Sequence, residues 1–143
     1  MDALVDANVW VPILLGSHPH HAKATAWWDK VAPGEATWCR FTQDAVLRLL
    51  TNTHVMAGAP LTPDAAWIVW QQLALDVRTT FLVGEPIGVD SLWQNNVRGR
   101  TTTPKLWTDA YLAALAEASH IEMVTFDKGF QHFQLTYLRL LSV

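Results

Sequence analysis

A chain of 143 residues, half of them hydrophobic, has the length of one ordinary domain and enough apolar surface to bury a full core. Its formal net charge of -3 excludes a protein that coats nucleic acid through overall basicity, and its single cysteine, Cys39, excludes an internal disulfide. No stretch approaches the roughly 18 consecutive apolar residues of a membrane span, and Met1-Asp2 leads directly into a strand pattern, so a cytoplasmic protein with no membrane role is expected.

In chain order, Ala3 to Asp6 reads as a strand, followed by a helical pattern running through His20-His21-Ala22-Lys23-Ala24-Thr25-Ala26-Trp27-Trp28 and a short strand near Ala36-Thr37-Trp38-Cys39. Val46, Leu47, Leu49 and Leu50 are spaced for one face of a helix that Thr42 would cap. Thr62-Pro63 marks the start of a further helix to about Asp76, with Thr62 as cap and proline at the first helical position. Thr79 to Val83 reads as a strand. The stretch from Gly84 to Thr103 holds turn residues, a short helix near Asp90 to Val97 and the basic Arg98-Gly99-Arg100, and it is a candidate substrate-facing flap. Pro104 is expected to open a helix carrying Asp109 in its second turn. Ile121 to Phe126 then forms a strand ending at Asp127, and Thr136 to Leu141 a last one.

Strands separated by helices of this length predict a three-layer α/β/α domain over residues 1–143, with a central, mostly parallel sheet of four to five strands. Eight tryptophans are hard to bury completely, which places several at the core edge or on a partner surface and makes an oligomer plausible.

Asp6, Asp109 and Asp127 fall at predicted strand ends or on a helix beside one, where an open α/β sheet gathers its chemistry. Singly, Asp6 or Asp127 can be read as a cap for the turn that follows. Together they need a countercharge, because two carboxylates about 4 Å apart repel by about 4 kcal/mol at an effective dielectric constant near 20. A divalent cation supplies it, and oxygen-only ligands favour Mg²⁺ or Mn²⁺ over Zn²⁺. Such an ion activates water and stabilises charge on a phosphoryl oxygen, which suits phosphodiester hydrolysis. Arg98, Arg100, Lys105 and Lys128 adjoin these aspartates in sequence and are candidate contacts to an RNA backbone. Phosphate-binding glycine loops and a nucleophile elbow are missing from the sequence, Cys39 reads as a structural thiol, and His18, His20 and His21 lack zinc spacing and read as the lead-in to a helix.

Five segments, Leu4-Val5-Asp6-Ala7-Asn8-Val9, Pro19-His20-His21, Thr42-Gln43-x-x-x-Leu47-Arg48-Leu49-Leu50-Thr51-Asn52, Thr108-Asp109-Ala110-Tyr111-Leu112 and Thr125-Phe126-Asp127-Lys128-Gly129-Phe130, resemble in this order the PIN-domain VapC toxins of bacterial type II toxin–antitoxin modules. The resemblance implies a PIN fold and a Mg²⁺- or Mn²⁺-dependent endoribonuclease cutting transfer RNA or another structured RNA. It also implies inhibition by a cognate antitoxin and a homodimer. On it, Asp6, Asp109 and Asp127 match the metal-binding catalytic aspartates, while Asn8, Gln43 and Thr125 match polar residues that support them. The family commonly has a further glutamate on the helix after the second strand. Residues 41–52 contain none, and Asp44 is the only carboxylate there. That departure leaves one or two ions open and motivates an alternative, a PIN-like module that binds RNA or protein without cutting. An aspartyl-nucleophile phosphatase fits less well, since Asn8 stands where its second carboxylate belongs.

Overall fold

In a computed structural model, which describes residues 1–142, the predicted alternation becomes five strands and six helices. The strands are β1 (Ala3–Val5), β2 (Ala36–Trp38), β3 (Thr79–Phe81), β4 (Glu122–Thr125) and β5 (Leu138–Leu140). The helices are α1 (Ala7–Leu14), α2 (His21–Trp28), α3 (Arg40–Leu50), α4 (Pro63–Ala74), α5 (Val89–Val97) and α6 (Leu106–Ala118), with a 3₁₀ helix over Lys128–His132. The sheet order is β3-β2-β1-β4-β5, and all of its pairings are parallel. Ala3 of β1 lies in register with Ala36 of β2 and Glu122 of β4.

Central strands of a parallel sheet are covered on both faces, so they are mostly apolar along their length. β1 illustrates this: Ala3 and Val5 enter one core with Trp10, Trp28, Trp38 and Val46, while Leu4 enters the opposite core with Met123, Phe130 and α6 residues such as Leu115. The period-two alternation of side chains thus splits one strand between two hydrophobic layers. The edge strands β3 and β5 are only partly buried. The strand order reverses direction between β1 and β4, and the carboxyl ends of both strands open on the same side of the sheet. That switch point is where an open α/β sheet leaves a crevice.

Several boundaries differ from the sequence expectation. Thr42 does not cap α3. The cap position is Cys39, in extended conformation, and Thr42 sits at the third helical residue, where its Oγ1 accepts the Cys39 N–H at 3.0 Å. α6 begins at Leu106 and not at Pro104, because Pro104-Lys105 closes a turn through the Leu106 N–H to the Thr103 carbonyl, at 3.2 Å. Asp109 therefore lies in the first turn of α6. Within the candidate flap, the short helix forms as expected, over Val89–Val97, and it packs on α6: Val89 and Asn96 are buried, and Asn96 Nδ2 donates to the Ala110 carbonyl at 3.1 Å. The Thr62 cap of α4 is as expected, its hydroxyl accepting the Ala65 N–H at 3.2 Å.

Tryptophans divide as their number suggested. Trp10, Trp28 and Trp38 are in the core, whereas Trp67 and Trp107 are 45% and 54% exposed. Trp10 stacks on Trp38 at 4.1 Å between ring centroids and meets Trp28 edge-on at 5.4 Å. Removing an indole from such a site leaves a cavity that the neighbouring rings cannot fill. Trp10→Ala is expected to lower stability by about 3–5 kcal/mol. Urea unfolding checks this, and a loss below about 1 kcal/mol would show that the stack carries little of the core's stability.

Candidate active site

Three elements meet at the β1/β4 switch point, and each delivers one aspartate. Asp6 follows β1 and stands at the cap position of α1, yet its side chain makes no capping bond. Its Oδ2 instead accepts the Thr125 hydroxyl at 2.8 Å. Asp127 follows β4 and does cap what comes next, its Oδ1 accepting the Gly129 N–H at 2.8 Å. A Cβ at residue 129 would come within 3.0 Å of that oxygen, which explains glycine there. Asp109 comes from α6, and among the described residues its carboxylate takes part in no hydrogen bond or ion pair. All three aspartates line one cleft of about 270 Å³, together with Asn8, Phe41, Thr42, Arg48, Lys105, Thr108 and others.

A second, wider cavity of about 630 Å³ shares Pro104, Lys105, Asp109 and Asp127 with the first and continues past Arg100, Thr103, His132 and Phe133. The two form one groove with the carboxylates at its junction.

Thr125, fully buried, ties the arrangement together. Besides donating to Asp6, its Oγ1 accepts the Asp127 N–H at 3.0 Å and Asn8 Nδ2 at 3.2 Å. The Asn8 Oδ1 in turn accepts the Phe126 N–H at 3.2 Å. Asn8 and Thr125 therefore hold the ends of β1 and β4 in fixed relation. Gln43 does not join this network; it is buried, and its Oε1 accepts Arg40 Nη1 at 2.6 Å.

Electrostatically the site is under-compensated. Burial, opposed by the Thr125 hydroxyl and Lys105, raises the Asp6 pKa above the ordinary carboxylate value. Burial, followed by the charges of Asp6 and Asp127, pushes Asp109 up to about 7. Lys105 is the cation that counteracts both shifts. Among the described residues no group of three or more His, Cys, Asp or Glu side chains is arranged to hold a metal ion as it stands. The donor set is nonetheless all oxygen, converges on one cleft and carries unrelieved negative charge, which is what a hard divalent cation fits.

Of the predicted cations, Arg100 and Lys105 line the groove, and Arg100 is braced by the Asn96 carbonyl at 2.6 Å, the His132 carbonyl and the Phe133 ring. Arg98 and Lys128 are exposed and line neither cavity, because Arg98 ends α5 and Lys128 starts the outward 3₁₀ helix. Arg48 was not anticipated. It lines the narrower cleft and pairs with Asp44 at 2.8 Å, so Asp44 faces solvent and not the aspartates. An i,i+4 acid–base pair reads in sequence as a solvated helix face, which is why Arg48 went unmarked. Phe41, 44% exposed on the cleft wall, was equally silent. The histidine group is structural as expected: His21 Nδ1 bonds to the Pro12 carbonyl at 2.7 Å, and His20 stacks on Phe126 at 4.2 Å.

Comparison with known proteins follows the same geometry. The family model for the PIN domain matches residues 3–134. Ribonuclease VapC41 of Mycobacterium tuberculosis is 38% identical over 143 residues, covering 97% of this chain and 98% of that protein. Ribonuclease VapC38 of the same organism is 31% identical over 127 residues, covering 89% and 86%. Among solved structures, VapBC-1 from nontypeable Haemophilus influenzae superposes with a TM-score of 0.68 over 100% of both chains at 13% identity. Mycobacterium tuberculosis VapC20, a sarcin–ricin loop cleaving toxin, gives 0.62 at 18% identity over 95% of this chain and 99% of that one. At these identities the structural matches establish the fold.

A carboxylate whose folded pKa is raised stabilises the fold only while it stays protonated. The benefit is whole below the unfolded value of 3.8 and is lost as pH rises through about 7. Without added metal, Asp109→Asn is therefore expected to raise the thermal midpoint over wild type at pH 8 and to differ little from it at pH 4. Paired thermal melts across this range test the point, and a difference independent of pH would contradict it.

Proposed function

We propose that this chain, which belongs to the PIN-domain family as a VapC-type member, is a metal-dependent endoribonuclease and the toxin of a bacterial type II toxin–antitoxin pair. The observation that carries the reading is the meeting of Asp6, Asp109 and Asp127 at one point of a groove, two of them, Asp6 and Asp109, with pKa values raised by burial first and then by the charge of neighbouring aspartates. The full-length likeness to ribonucleases favours cutting over the non-cleaving alternative.

On this reading the whole chain acts as one domain. Asp6 and Asp109 would hold a Mg²⁺ or Mn²⁺ ion, and Asp127 would help to hold it or to orient water beside it. The ion, when bound, supplies countercharge to the carboxylates, lowers the pKa of water and stabilises charge on the phosphoryl oxygen. The protein's own part is positioning. Thr125 holds the Asp6 carboxylate and the Asp127 main chain together, and Asn8 fixes Thr125 from the other side. Lys105, at the junction of the two cavities, and Arg100 along the wider one contact the RNA backbone. α3 contributes no acid to the cleft, since Asp44 pairs outward with Arg48, and a single ion is the occupancy this donor set supports.

The substrate is an unpaired stretch of a structured RNA, such as a transfer RNA or a loop like the sarcin–ricin loop that VapC20 cleaves. The partner is a cognate antitoxin, as in the VapBC assemblies that share this fold, and the chain forms a homodimer. Among the described residues no helix is long and apolar enough to cross a membrane, in keeping with action in the cytoplasm.

Incubation of the antitoxin-free protein with total transfer RNA and ribosomal RNA in Mg²⁺, Mn²⁺ or EDTA tests the reading. Discrete fragments are expected with metal and none with EDTA. Asp109→Asn should show no cutting above background, and a variant as active as wild type would remove Asp109 from the site. Thr125→Val, which keeps the volume but loses the hydroxyl, should lower kcat/KM by about 10- to 100-fold and raise the metal concentration required.

A further inference from the structure

We propose that Phe41 is a base-stacking platform that selects an unpaired nucleotide beside the scissile phosphate; the proposal rests on the ribonuclease reading for its substrate. Phe41 is the second residue of α3, 44% exposed in a cleft whose floor holds the three aspartates. A large apolar ring left open in a site for a polyanion needs a reason, and the contacts behind it supply one. Its inner side packs on Tyr111 at 4.7 Å between centroids. Tyr111 is pinned by its hydroxyl, which donates to Glu85 Oε2 at 2.7 Å, and is met edge-on by Trp93 at 5.2 Å. Trp93 is fixed in turn by its Nε1, which donates to the Trp107 carbonyl at 3.0 Å. The ring is therefore braced by a chain of anchored aromatics; it lines the aspartate cleft, and also a smaller cavity on the Tyr111 side.

The walls around it suit a nucleotide. Arg48 and Lys105 line the same cleft and offer cations for phosphates, while the ring offers a face that any base can cover. A base inside a duplex already has both faces stacked, so Phe41 discriminates for a nucleotide that is unpaired or flipped out. The position is distinct from the wider cavity beyond Lys105, which is lined by Phe133 and His132 and serves the strand on the other side of the carboxylates.

The test uses two readouts. In the first, Phe41→Ala and Phe41→Leu are expected to lower kcat/KM on a cleaved single-stranded oligoribonucleotide by roughly 5- to 150-fold, mainly through KM, with Phe41→Trp restoring it. An abasic site at one position next to the cut should cost wild type a similar factor and cost Phe41→Ala nothing further. In the second, the Asp109→Asn protein is titrated with oligoribonucleotides carrying 2-aminopurine at successive positions. Stacking on Phe41 quenches the probe at one position, and the quench disappears when Phe41→Leu is added. Leucine performing as well as phenylalanine in either readout, or quenching unchanged by its introduction or absent at every position, overturns the proposal. A Phe41-dependent quench in a wild-type protein that cuts no RNA would overturn the ribonuclease reading and leave the platform standing.

Discussion

Burial of neighbouring carboxylates, with their mutual repulsion added to it, is the constraint on which the rest of this structure turns. The topology brings the ends of β1 and β4 together, and an aspartate follows each, Asp6 directly after β1 and Asp127 two residues beyond β4. α6 then adds a third carboxylate from its first turn. Like charges at such spacing oppose folding by kilocalories per mole in a medium of intermediate dielectric. The fold accommodates them by different means: the Thr125 hydroxyl solvates Asp6, the Gly129 N–H solvates Asp127, and the Asp109 pKa is pushed up to about 7, so that it is only partly ionised near neutrality. Stability is given up where a cation would restore it, as expected when a site is built for charge that arrives with a ligand.

Rigidity around the trio comes from the two hydrophobic layers. Val5 and Val124 are fully buried neighbours in one layer, Leu4 and Met123 in the other, so the strand ends that carry Asp6 and Asp127 are fixed from both faces. Thr125 sits where this packing meets the polar site, and its hydroxyl has no freedom to leave. His20, stacked on Phe126, extends the support outward from the α2 lead-in. Positioning of the aspartates is thus a property of the sheet, and loops contribute mainly the walls of the groove.

This division decides what was legible in the sequence. The strand-to-aspartate junctions at Asp6 and Asp127 are local patterns, an apolar run stopped by a carboxylate, and the helix around Asp109 is equally local. The parallel order of the sheet follows from the spacing of those elements. What escaped depends on three-dimensional detail. Thr42 looks like a cap because threonine favours that role, but Cys39 adopts the extended conformation first and Thr42 becomes the reciprocal partner. Proline is a good first helical residue, but Pro104 is used in the preceding turn and shifts Asp109 by part of a turn. Arg98 and Lys128 are adjacent to site residues in sequence, yet α5 and the 3₁₀ helix carry them away from the groove. Gln43 is recruited by Arg40, whose guanidinium also lies over Phe81 at 5.0 Å, and nothing in the local pattern marks that contact.

The distribution of charge also resolves how a net acidic chain can receive a polyanion. The groove is acidic only at its floor, and the cations on its walls are held lightly. Arg48 and Asp44 form an exposed i,i+4 pair, with side-chain exposures of 78% and 57%, and such pairs contribute on the order of 0–1 kcal/mol. Exchanging Asp44 for a phosphate therefore costs Arg48 little, and leaves Asp44 in water. Arg100 differs: bonded to two main-chain carbonyls and stacked on Phe133, it is held in place before any ligand arrives. A divalent cation in the acidic floor would offset most of the negative charge of the three carboxylates, with Lys105 opposing the remainder. Binding of metal and of a polyanion would then be linked at this site: the metal offsets the carboxylate charge that repels phosphates, and the phosphates bring negative charge that favours the metal.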